Sequence, residues 1–100
     1  MSFKALKLHD SLISKVELDW DSGKVSIYLH AFLTKNELAE SCVLIFTDVA
    51  FFSVTRTLSW GYSNLILEVG ENDDGFWIEI QSGDKIVIKA SKVELVKNGL

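Results

Sequence analysis

His9, Asp10 and Ser11 supply the residue types of a hydrolase triad, side by side near the start of the chain. Three adjacent side chains do not easily reach the nucleophile–base–orienter geometry that such catalysis requires. The trio therefore reads as a turn, with Asp10 or Ser11 bonded to nearby backbone. A thiol–imidazole pair is the second option, built from His30 and the single cysteine, Cys42. Both residues fall in strand patterns, and no nucleophile elbow or helix N-terminus accompanies Cys42. With nothing local to depress its thiol pKa, an inert buried cysteine is the expectation. Glu68, Glu71, Asp73 and Asp74 could collect a hard cation, but they lack the EF-hand spacing and read as a solvated acidic turn. Two scattered histidines and one cysteine do not make a zinc site, and the six glycines stand singly, with no phosphate-binding loop. No catalytic residue, metal or cofactor is expected.

The aromatic residues are more informative. Trp77 alternates with Phe76 and Ile78 and shares its strand face with Glu79 and Gln81, which makes that face the less buried one. Exposed Trp and Tyr are common anchors of protein interfaces. A partner-binding surface is therefore expected either where Trp60, Tyr62 and Trp77 join Glu79, or at the acidic tip Glu71, Asp73 and Asp74. On that reading, replacing Trp77 with Ala weakens partner binding and leaves the melting temperature nearly unchanged. The structural alternative has Trp60 plugging the end of the fold and Trp77 packing across to a neighbouring strand. The second functional class is a small-ligand or carbohydrate-binding module, its site lined by Tyr28, His30, Trp60 and Tyr62.

The elements that must position these side chains are strands. Ser63 to Lys97 reads as four consecutive strands joined by short polar turns, in an antiparallel meander. Its inward set is Leu65, Leu67, Val69, Phe76, Ile78, Ile80, Ile86, Ile88, Val93 and Leu95, at alternate positions within each run. The turns are Gly70 to Gly75 and Ser82-Gly83-Asp84. Earlier in the chain, Lys15 to Trp20 turns Val16, Leu18 and Trp20 to one side. After the turn Asp21-Ser22-Gly23-Lys24, the return strand buries Val25, Ile27 and Leu29 and sends Ser26, Tyr28 and His30 outward. Residues 3 to 14 read as a short strand or irregular arm followed by a turn. Thr34-Lys35-Asn36-Glu37 matches a capping box, with one helical turn at most behind it. Ser41 to Thr47 is apolar on both faces, as in a central strand covered on both sides. Asp48 marks a bend before the strand-like Val49 to Thr55, and Arg56 to Ser63 is a connection. Seven or eight short strands, with turns at intervals of about 8–12 residues, define an all-β, mainly antiparallel chain: a small sandwich or a partly open barrel.

One hundred residues, 48% hydrophobic and 24% charged, suit a single globular domain over residues 1–100. No apolar run reaches membrane-spanning length, and the N-terminus lacks a signal-like segment. One cysteine excludes an internal disulfide, so a cytoplasmic protein is expected. The net charge of −4 argues against nucleic acid and for a basic protein partner. An open sheet edge also permits a homo-oligomer, with Lys85, Lys89 and Lys92 read as partial protection against edge pairing.

Leu8-His9-Asp10-Ser11, the run Phe46-Thr47-Asp48-Val49-Ala50-Phe51-Phe52, Trp60-Gly61-Tyr62-Ser63 and Ile78-Glu79-Ile80-Gln81-Ser82-Gly83-Asp84 together resemble a group of small bacterial β-rich proteins of unassigned biochemistry. Some of that group look like the immunity proteins encoded beside polymorphic toxins. The resemblance runs along nearly the whole chain, rests on turn and core signatures, and transfers no catalytic residue. It implies a compact, mostly antiparallel β-domain of unassigned biochemistry, cytoplasmic and bacterial.

Overall fold

Period-two alternation of apolar and polar residues produces eight strands in the computed structural model, which describes residues 3, 6–32 and 39–97. They are β1 (Leu12–Asp19), β2 (Lys24–Ala31), β3 (Glu40–Thr47), β4 (Phe51–Val54), β5 (Ile66–Asn72), β6 (Gly75–Ile80), β7 (Lys85–Lys89) and β8 (Lys92–Lys97). All neighbours pair antiparallel, in two four-stranded sheets of order β1-β2-β3-β8 and β4-β7-β6-β5. The result is an open β-sandwich rather than a barrel. Among the described residues there is no α-helix, and none long and apolar enough to cross a membrane. The Thr34–Glu37 capping box lies outside the described residues.

Val25, Ile27, Leu29 and Ala31 from β2 and Cys42, Leu44 and Phe46 from β3 meet Ile66, Ile78, Ile86 and Ile88 from the second sheet in one buried cluster. The irregular N-terminal arm adds Phe3 and Leu8. Phe3 packs edge-on against Phe46 and Phe76, with ring centroids 5.9 and 5.3 Å apart. Such pairs contribute about 0.5–1.5 kcal/mol each beyond the area they bury.

Several expectations are corrected. Ser63 to Lys97 is not one meander, because β8 leaves β7 and pairs with β3 in the other sheet. β3–β4 and β7–β8 thus form a single two-stranded ribbon bent between the sheets. At the corner Asp48 adopts φ 56°, the Ala50 amide donates to the Lys89 carbonyl at 2.7 Å, and the Ser91 hydroxyl donates to the Asp48 carboxylate at 3.0 Å. The bend read at Asp48 is therefore present. β7 lies inside its sheet, so Lys85 and Lys89 guard no edge; only Lys92 does.

The inward set of β5 also shifts. The ladder with β6 slips between Ile66 and Glu68, so that Ile66 opposes Ile80 and Val69 opposes Ile78. Leu67, the extra residue of this bulge, turns outward and Ile66 is buried instead. β5 continues to Asn72, which makes Gly70 a strand residue rather than part of the turn. At the end of β1, Leu18 and Trp20 are exposed, Trp20 to 85%, because the hairpin carries them beyond the core. β3 is central as expected, but Val43 and Ile45 on its outer face are only half-buried.

Candidate functional site

The most elaborate polar arrangement is centred on Asp84, in the turn from β6 to β7. Its carboxylate is buried and collects five donors from the described residues. Oδ1 accepts from the Thr57 amide at 2.7 Å, the Thr55 hydroxyl at 2.9 Å and the Thr57 hydroxyl at 3.0 Å. Oδ2 accepts from the Ser82 hydroxyl at 2.7 Å and the Leu58 amide at 3.0 Å. A carboxylate offers about four lone-pair positions, so Asp84 is saturated. The Ser82 hydroxyl and the Thr57 amide, ahead of the remaining donors, hold its carboxyl well below the usual carboxylate range. It fixes the start of the connection between β4 and β5.

That connection displays Trp60 and Tyr62, each 71% exposed. The Trp60 amide donates to the Ser82 carbonyl at 2.9 Å, and the indole rests on Gly83. A Cβ at Gly83 would lie 3.0 Å from the Trp60 ring, on a backbone with φ +91°. Only glycine accommodates both conditions.

The expected aromatic surface is not brought together as one patch. Trp77 stands on the outer face of β6, half-buried, with its ring over buried Gly70 and the Lys85 ammonium 5.3 Å from its centroid. Glu79 shares that outer face and lies directly opposite Glu68. Glu71 instead opposes Phe76, on the core-facing side of the hairpin. Asp73 and Asp74 form its tip, with the Asp74 amide donating to the Asn72 side chain at 2.8 Å. The acidic tip and the Trp60 loop therefore lie beyond opposite ends of β6. No group of three or more His, Cys, Asp or Glu side chains among the described residues is arranged to hold a metal.

Tyr28 and His30 lie on the outer face of the first sheet, apart from Trp60 and Tyr62. The Tyr28 hydroxyl donates to Glu17 at 2.9 Å, Lys15 pairs with the same carboxylate at 2.9 Å, and His30 Nδ1 is 3.4 Å from the Ser41 hydroxyl. Cys42 points to the opposite, buried side of the sheet, where burial pushes its thiol up. The two therefore form no pair.

His9, Asp10 and Ser11 occupy a turn with Asp10 at φ 66°, docked onto β5 and β6. His9 Nδ1 lies 2.7 Å from the Leu67 carbonyl, and the Gln81 amide donates to Asp10 at 2.6 Å. Ser11 is fully buried, its hydroxyl without a hydrogen-bond partner among the described residues.

A cleft of about 540 Å³ opens between β1 and the same end of the second sheet. Leu12 to Val16 form one wall, with Ile80 and Ile86 beneath and Val54 to Arg56, Leu58 and Tyr62 to Asn64 around the rim. A smaller apolar groove lies between Leu18, Trp20 and Val49 to Phe52. Sequence reasoning missed Asp84, Arg56 and Trp20 as notable positions. The hydroxyl-rich Thr55-Arg56-Thr57 facing Ser82-Gly83-Asp84 is the one signal that could have found the latch, and its partners are about 27 residues apart.

The fold and surface define a small antiparallel β-sandwich with a braced aromatic loop. No family model, curated protein or solved structure matches this chain.

Proposed function

We propose that this chain is a non-enzymatic interaction domain that binds a protein partner through the Trp60–Tyr62 loop. One observation carries the reading: two exposed aromatic side chains stand on a loop whose first residues, Thr55 to Leu58, give four hydrogen bonds to a single buried carboxylate. A loop already in one conformation loses little entropy when it binds, and Trp and Tyr are the side chains that anchor interfaces most strongly. The acidic excess of the chain, 14 carboxylates against 10 basic residues, favours a partner with a basic face. Glu68 opposite Glu79 adds a like-charge pair whose repulsion a cationic partner would relieve. The resemblance to immunity proteins gives that partner a class, a toxin domain encoded beside this chain.

The test is titration calorimetry with the product of a neighbouring toxin-like reading frame. Trp60→Ala and Tyr62→Ala are each expected to weaken binding at least about tenfold while the domain stays folded. Full affinity in both variants removes the loop from the interface; no complex with the wild type removes the toxin-directed reading.

A further inference from the structure

From the cleft beside β1, which shares Tyr62 on its rim with the aromatic loop, we infer a second site, one that takes a small amphipathic carboxylate. The inference does not depend on the partner reading. Arg56 is the only arginine in the chain. It lies on the cleft rim and, among the described residues, has no ion pair or side-chain hydrogen bond.

The other charges facing the cleft are Lys15 and Asp84. Lys15 is answered by Glu17 at 2.9 Å. Asp84 keeps its negative charge, but every acceptor position is filled by neutral protein donors, so it has no lone pair left to bond a ligand. Arg56 is therefore the one charged group at the opening whose hydrogen-bonding capacity is unused among the described residues, and its planar fork suits a carboxylate. Ser63 and Asn64 stand on the same rim, while Ile13, Val16, Ile80 and Ile86 supply an apolar wall and floor. An apolar body on the isoleucines with its anionic head at Arg56 satisfies both parts, and the volume of about 540 Å³ falls in the range of small-ligand sites. This places a ligand site away from Tyr28 and His30.

The experiment is a matched series of octanoate, 1-octanol and octylamine added at millimolar concentration to the full chain, read by amide NMR shifts and by thermal melting. Octanoate is expected to shift the amides of residues 13–16, 54–58 and 80–86 and to raise Tm, with octanol weaker and octylamine without effect. Arg56→Gln is expected to reduce octanoate affinity roughly tenfold while leaving the unliganded spectrum outside the rim unchanged, and Arg56→Lys to recover part of it. Equal binding of all three probes, shifts confined to the Leu18–Trp20 groove, undiminished octanoate binding to Arg56→Gln, or no octanoate binding to the wild type each overturns the inference.

Discussion

Trp60 and Trp20 leave the surface to similar extents, 71% and 85%, yet they belong to different kinds of structure. Trp60 stands on a loop braced from beneath by Asp84 and rests one side of its indole on Gly83. Trp20 follows the last residue of β1, in a hairpin turn closed by the Gly23 amide donating to the Asp19 carbonyl at 3.0 Å. Exposure alone does not distinguish an interface anchor from a side chain carried past the core. What sets Trp60 apart is the side-chain brace at the start of its loop, since a loop ordered in advance loses less entropy on binding.

The largest expected effect comes from removing the brace. Asp84→Asn places an amide NH₂ against donors that need an acceptor, and should lower Tm on the order of 10 °C by calorimetry. Loosening the loop should also abolish the difference in binding between Trp60 and Trp20. The wild type tests the same group by pH. A carboxyl held below its ordinary value in the folded state stabilises the fold at pH values above its unfolded pKa, about 4, and that contribution is lost as pH falls through the lower folded value. Tm should therefore decline below about pH 4 in the wild type, and less steeply in Asp84→Asn.

Trp77→Ala comes next. Its ring covers Gly70 on the sheet, so the substitution should cost about 2 kcal/mol in denaturant unfolding, below the value for a fully buried tryptophan. This differs from the sequence expectation of a nearly unchanged melting temperature. Trp60→Ala and Trp20→Ala sharpen the comparison directly: the first should weaken partner binding at least about tenfold and the second less than about twofold, with both domains folded. Equal losses would mean that bracing is irrelevant to recognition. The smallest effect is at Ser11, whose buried hydroxyl lacks, among the described residues, the partners that Asp84 has in excess. Ser11→Ala should raise stability by up to about 1 kcal/mol, measured by urea unfolding.

Strand positions were legible because a half-buried strand writes its burial in every second residue, as in Val25, Ile27 and Leu29. The bulge at Leu67 was not, because one extra residue reverses the inward parity with no distinctive residue type to announce it. Phe3 escaped notice for a related reason: a plug from an irregular arm has no period. The site was less legible than the fold. Trp60 and Tyr62 could be singled out as large aromatics in a connection, but Asp84 looked like any turn aspartate. Its role arises from donors at Thr55, Thr57 and Leu58, which only the folded chain brings to it.

The bent ribbon has a consequence for synthesis. β3 pairs with β8, bringing Cys42 opposite Lys97, so a nascent chain that has already made β1, β2 and β3 must wait for the whole second half to leave the ribosome before that pairing forms. Until then β3 presents an unprotected row of backbone groups flanked by Val43, Leu44, Ile45 and Phe46, a template for wrong association. Molecules stalled before Lys92 should therefore depend on chaperones far more than completed ones.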